Sequence, residues 1–269
     1  MVTTGQEFFT PLTFDFLWES VGLGELPYPL RVKSHGETID ERAMLRQRAN
    51  RELRARGLVD DYGRLEPHVE EWFTVLARPT LSIDALHIPE FQQPPVAILA
   101  ASDGTTGVLA IQDNDGVWIR PTYAEGLASS VVELLPPGQR GTEASVTLPV
   151  EEALWIAPNR TPVTTGGGDS SPKARRRAPL SEKTADPREA YARLAGQPRL
   201  RGGQLAANSR SELRGRQRSP VLAWFDTASG RYLSLSRPGT DGREWMTVSG
   251  ADAKTLRGRL GEMVAALGG

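Results

Sequence analysis

Three histidines, His35, His68 and His87, and three carboxylates, Asp84, Asp103 and Asp226, are the side chains from which acid–base or metal chemistry could be built in this chain. The histidines are too far apart for a local ligand motif and none sits in HExxH. His68 reads as a surface residue near a helix start, and His87 as a hydrogen-bonded residue of a sheet. Asp103 and Asp226 head what look like equivalent turns, where an aspartate commonly accepts backbone amides. The run DNDG at residues 113–116 resembles the start of a calcium loop. Its first ligand would then be Ile111 and its bidentate acid Thr122, so a hairpin turn explains it better. Gly22-Leu23-Gly24 lacks the third glycine of a dinucleotide fingerprint, and Gly166-Gly167-Gly168 lacks the Lys-Ser/Thr that holds phosphate and magnesium. The chain has no cysteine, which excludes disulfides, thiolate catalysis and Cys-containing metal sites. We expect no catalytic residue, no metal site and no cofactor; a hydrolase built on Asp103 and Asp226 is the least favoured reading.

The elements that would position these side chains follow from apolar spacing. Residues 221–248, VLAWFDTASGRYLSLSRPGTDGREWMTV, read as three strands joined by two tight turns. Residues 98–120, ILAASDGTTGVLAIQDNDGVWIR, repeat the pattern when Asp103 is laid on Asp226 and Gly107 on Gly230. Each copy runs into an amphipathic helix. The expected fold is α+β: a central antiparallel sheet built from two quasi-two-fold-related halves and flanked by helices. We expect an N-terminal half at 1–157, a mobile polar and basic insertion at 158–186, and a C-terminal half at 187–269, the two halves sharing one globular domain.

In chain order, LTFDFLW at residues 12–18 predicts an opening strand or short helix, followed by an extended segment to about Val32. Thr38 and Glu41 form a capping box for a helix running to about Arg56, with Gly57 placed to end it. Pro67 suits the first turn of a second helix whose Val69, Trp72, Phe73 and Leu76 make one buried stripe. Residues 81–88 carry apolar weight on both faces, as an inner strand does. Residues 89–95, PEFQQPP, must be a loop, because three prolines remove ladder donors. A strand at 144–148, short helices at 150–156 and 187–194, a strand and turn at 204–218 and a closing helix at 251–267 complete the reading. That closing helix stacks Leu256, Leu260, Met263, Val264 and Leu267.

The net charge of −1 hides an asymmetry: residues 1–157 carry 12 Lys and Arg against 23 Asp and Glu, whereas 158–218 carry 14 against 5. A basic segment can bind nucleic acid or an acidic partner, and Lys173, Arg175, Arg176 and Arg177 would be its footprint. Few aromatics are interleaved with them to stack on bases, so a solvated linker is the simpler reading and no nucleic acid is expected. No basic residue precedes Arg31, and the longest apolar run, 96–101, is far too short for a bilayer. We therefore expect neither a signal peptide nor a membrane-inserted segment, and a cytoplasmic protein.

Several segments carry a resemblance to a known family: LTFDFLW, ELPYPL, RGLVDDYGRLEPHVEEWFTVLARP at 56–79, GGQLAANSR at 202–210, WFDTASGRYL at 224–233 and DGREWMTV at 241–248. In this order they resemble the EspG family, the cytosolic chaperones of type VII (ESX) secretion in actinobacteria. The resemblance implies a quasi-two-fold α+β fold and a non-enzymatic chaperone. Its partner would be the hydrophobic tip of the PPE-like subunit in a PE-PPE heterodimer, or a related helical secretion substrate, kept soluble until export. It also implies a binding surface on the loop matched by Pro89, Glu90, Phe91, Gln92 and Gln93, with exposed sheet and C-terminal helix positions represented by Trp224 and Met263. Phe91 is the first of these, because an aromatic on a proline-rich loop has little reason to be exposed unless it meets something.

Overall fold

The computed structural model describes residues 5–90, 93–156 and 186–268. The first half runs β1 (Glu7–Phe9), α1 (Pro11–Val21), α2 (Ile39–Ala55), α3 (Pro67–Ala77), β2 (Leu81–Ile88), β3 (Val96–Ser102), β4 (Gly107–Gln112), β5 (Val117–Thr122) and α4 (Leu127–Val132). The second follows a similar order, with two helices among the described residues in place of three and one added strand: β6 (Val146–Pro149), α5 (Val150–Ile156), α6 (Pro187–Ala195), β7 (Arg201–Ser211), the short β8 (Gly215–Arg218), β9 (Leu222–Thr227), β10 (Gly230–Pro238), β11 (Glu244–Gly250) and α7 (Ala253–Gly268). One antiparallel sheet in the order β1-β5-β4-β3-β2-β7-β9-β10-β11-β6 joins them, with β8 paired to β7. Five strands on each side of the β2–β7 seam follow matching paths, which is the expected quasi-two-fold arrangement.

Local chemistry explains the helix ends. Thr10 caps α1 by accepting from the Thr13 amide, Pro11 fills its first turn, and Gly22 ends it at φ 66°. The stretch LTFDFLW is therefore helical. Thr38 Oγ1 accepts from the Glu41 amide at 3.2 Å, and Glu41 reaches back to the Glu37 amide at 2.9 Å, one residue before the position of a standard capping box. Asp186 caps α6 through the Arg188 amide.

The sheet has two faces. On the front, α1, α2 and α3 cover the first half, with Phe14, Trp72 and Phe73 packed on Leu99, Ala101 and Val108. The Phe14 and Phe73 rings lie 5.4 Å apart and Trp18 and Phe73 5.6 Å apart, contacts worth about 0.5–1.5 kcal/mol each beyond burial. Leu194 of α6 packs on Phe225, Tyr232 and Val248 of the second half. On the back, α4 and α7 cover the middle, with Val131, Leu256 and Leu260 against Ile98, Ala100, Leu205 and Leu222.

Three expectations change. β6 pairs with β11 and α5 with the β6 and α6 region, so residues 146–156, read from sequence with the first half, sit at the second half's end of the sheet. Ile98, Ala100, Leu222 and Trp224 all face the back. The two hairpins therefore match only when Ser102, and not Asp103, is laid on Asp226; the sequence alignment was one residue out, and such a slip turns every side chain to the other face. Trp224 and Met263 were read as surface positions, but they are 2% and 6% exposed. Both belong to the back-face core, because an indole and a thioether on the inward stripe gain more from burial than from water.

Candidate partner-binding surface

Between the helices over the first half and those over the second, the middle of the front face stays partly open at the end where residues 89–95 join β2 to β3. Within that connection the Gln93 amide donates to the Glu90 carbonyl at 3.1 Å, and Gln93 Nε2 donates to Glu90 Oε2 at 3.2 Å. Pro89 is half-buried, whereas Glu90 and Gln93 are exposed. Phe91 and Gln92 lie outside the described residues. Beneath the connection is a cavity of about 300 Å³ whose lining includes Leu86, Ile88, Pro95, Gly202, Ala223 and Phe225. Ile88 is 40% exposed and Leu200, just before β7, 56%. On the far side of Pro95 a second cavity of about 310 Å³ is bounded by Tyr28, Pro29 and Arg31. Gln112 holds that wall in place, donating from Nε2 to the Arg31 carbonyl at 2.6 Å and accepting at Oε1 from its amide at 2.8 Å.

Two glycines follow Arg201 at the start of β7 and let its neighbours approach closely, Gly202 on the front and Gly203, beside the Trp224 indole, on the back. A Cβ on Gly203 would meet the Leu86 carbonyl at 2.4 Å and Trp224 Nε1 at 2.7 Å, and one on Gly202 would meet the Trp224 carbonyl at 2.8 Å. The paired glycines in GGQLAANSR were the sequence signal for this close approach. Ile88, Leu200 and Tyr28 carried no comparable signal, since an isolated exposed apolar residue is ordinary.

On the back of the same floor lies a buried charge cluster. Arg231, 1% exposed, donates from Nε to Asp226 Oδ1 at 2.7 Å and from Nη2 to Oδ2 at 2.9 Å. Arg201 Nε adds a third bond to Asp226 Oδ2 at 2.7 Å. The remaining donors go to the connection after α4: Arg231 Nη2 to the Pro136 carbonyl at 2.8 Å and Arg201 Nη2 to the Pro137 carbonyl at 2.9 Å. Burial pushes the Asp226 carboxyl up, but hydrogen bonds from Arg231 and then Arg201 outweigh it and hold the group below the usual carboxylate range. The Arg231 guanidinium also lies 4.5 Å over the Trp224 ring, and His87 stacks on the same indole at 5.5 Å. His87 is not the fully hydrogen-bonded histidine expected: its Nδ1 and Trp224 Nε1 are both buried without a partner. Burial pushes the His87 imidazole below its ordinary value.

These contacts bear directly on catalysis. Asp84 accepts from Arg218 through both guanidinium nitrogens and from Asn208 Nδ2 at 2.7 Å. Asp103 accepts the Thr105 and Thr106 amides at 2.8 Å, as its turn position predicts. Asp226 does not make such a turn. All three carboxylates are thus engaged as acceptors, Asp84 and Asp226 from arginines and Asp103 from turn amides. Among the described residues no group of His, Asp or Glu comes together to hold a metal ion, and no helix is long and apolar enough to cross a membrane. The basic footprint at 173–177 lies outside the described residues.

Comparison with known proteins agrees with this architecture. No curated protein sequence matches the chain. Among solved structures, the Mycobacterium tuberculosis type VII secretion system chaperone EspG5, determined in complex with a PE25-PPE41 dimer, is similar to it with a TM-score of 0.67 and 13% identity. The match covers 98% of this chain and 96% of that one, so the two share a fold over essentially their whole length. A model of the EspG family matches residues 10–262, nearly all of the sequence. The chain belongs to the EspG family.

Proposed function

We propose that this protein is a cytosolic, non-enzymatic chaperone that covers the apolar tip of a PPE-like subunit in a PE-PPE-type heterodimer and keeps it soluble for type VII export. The single observation that carries the reading is the open, mostly apolar cavity lined by Ile88 and Pro95, with the exposed Leu200 lying in sequence between its lining residues Arg199 and Arg201, in a chain whose fold is shared with a chaperone solved on such a dimer. An uncovered sheet centre beside half-exposed aliphatic side chains has a reason to persist when a helical tip removes it from water. Pro89, Glu90, Phe91, Gln92 and Gln93 would form the lip of this surface. Trp224 and Met263 would support it from behind, without touching the client.

The experiment is co-purification with a PE-PPE heterodimer from the same genome, comparing wild type with Ile88→Asp, Leu200→Asp and Phe91→Ala. Ile88 and Leu200 are exposed enough that the aspartates should leave the melting temperature within ~2 °C of wild type. Each is expected to weaken capture about 10-fold or more, because a charge would be desolvated in the contact. Equal capture by all variants would sink this placement of the surface.

A further inference from the structure

The two connections that leave the central seam depart at opposite ends of the front face. The lower one, residues 89–95, is proline-rich and overhangs an apolar floor. The upper one, between β7 and β9, folds β8 back on β7 and is arginine-rich. There Arg210 and Arg216 are direct register partners across the antiparallel pair. Like charges set opposite each other weaken a ladder, and neither guanidinium has an ion-pair partner among the described residues. Arg218, two residues along, is different: Asp84 neutralises it bidentately and Asn208 Oδ1 accepts from it at 2.8 Å. The end of the cleft therefore keeps two uncompensated positive charges.

These charges border a cavity of about 300 Å³ whose lining includes Pro27, Tyr28, Pro79, Asn208, Arg210 and Arg216. One wall is apolar and the other polar and cationic, its one carboxylate, Asp84, being paired with Arg218. Both are held in place: the Arg210 amide donates to the Thr80 carbonyl at 2.8 Å, and the Arg218 guanidinium lies 5.5 Å over the Tyr28 ring. Arginine suits a carboxylate because two of its N–H groups match two oxygens.

We propose that this upper cleft is a second docking site, for an acidic extended segment of a partner protein. One carboxylate sits between Arg210 and Arg216, and a neighbouring apolar side chain rests on Tyr28 and Pro79. A polypeptide fits better than a nucleic acid, because Tyr28 is the one aromatic of the lining, enough for a single apolar side chain and too little for successive bases to stack on. The inference stands apart from the proposed client surface at the other end of the seam.

The test is fluorescence anisotropy with a labelled synthetic peptide of alternating glutamate and leucine. Wild type should bind it, and more weakly as salt rises. Arg210→Gln and Arg216→Gln should each weaken binding about 10-fold, and the double variant should lose it. Arg216→Glu supplies a readout that a purely structural role would not produce. Converting the repulsive cross-strand pair to an attractive one should raise the melting temperature by ~1–3 °C while abolishing peptide binding. Ile88→Asp, at the other end, should bind the peptide as wild type does. Peptide binding that survives in the double variant would overturn the proposal. So would equal binding of the lysine-for-glutamate peptide, or displacement of the probe by a short single-stranded oligonucleotide that itself depends on Arg210 and Arg216.

Discussion

The β3–β4 and β9–β10 hairpins occupy matching places in the two halves, and their last back-facing cross-strand pairs are Ser102 with Gly107 in one and Asp226 with Arg231 in the other. In the first, Ser102 Oγ accepts the Gly104 amide at 2.9 Å, and Asp103 takes two more amides, so the turn satisfies itself. In the second, the strand end lies under residues 136–138, whose carbonyls need donors. Arg231 and Arg201 supply them and Asp226 neutralises both. A duplicated framework can thus keep strand order and hydrophobic faces while one copy gains a buried ion cluster, provided a neighbouring segment uses its hydrogen bonds.

The comparison is broken most severely by Asp226→Ala, which leaves Arg231 buried without a counter-charge. We expect a loss of ~3–5 kcal/mol in urea unfolding. Gly138→Ala comes next. A Cβ there would lie 2.6 Å from the Arg231 guanidinium carbon, and the displaced cap should cost ~1–3 kcal/mol. Ser102→Ala, at the matching place in the first half, should cost only ~0.5–1.5 kcal/mol. If the two hairpin positions proved equally sensitive, the distinction drawn between them would fail.

Acid titration sharpens the same contrast. The Asp226 carboxyl is lowered in the fold, so its contribution is complete above its unfolded value of ~3.9 and is lost as pH falls through that value toward the lowered folded one. The His87 imidazole is also lowered, by burial. Its neutral form is the favoured one, so its contribution is complete above ~6.5 and is lost as pH falls below that. His87→Phe should therefore flatten the pH dependence of stability between about pH 7 and pH 5, and Asp226→Asn the dependence below about pH 4. Unchanged slopes in melting temperature against pH would show that neither group titrates with folding. The smallest effect belongs to this His87→Phe variant at neutral pH. A phenyl ring keeps the stacking on Trp224 and removes an unpartnered nitrogen, so stability there should stay within ~1 kcal/mol of wild type.

Much of this molecule was readable residue by residue. The strands of both meanders, the cap Thr38, the N-terminal proline of α3 and the buried stripe Val69, Trp72, Phe73 and Leu76 appear where spacing placed them. Capping and periodicity act over a few residues, so the chain states them locally. The surface was less legible. The loop at 89–95 was recognisable from its prolines, but Trp224 and Met263 read as contact positions and are core, because an aromatic or a methionine on a strand or helix has the same local pattern whichever face is covered.

By itself the sequence determined most of the elements, the existence of an internal repeat, the lack of any thiol chemistry and the family. Tertiary structure alone decided which arginines are neutralised, that Asp226 accepts from Arg201 and Arg231 and not from turn amides, that Asp84 is locked by a residue 134 positions away, and which part of the sheet remains open. The physical reason is distance along the chain. Hydrogen-bond partners such as Asp84 with Arg218, and the covering of a face, are set by elements far apart in sequence, which meet only in the folded sheet where β2 pairs with β7.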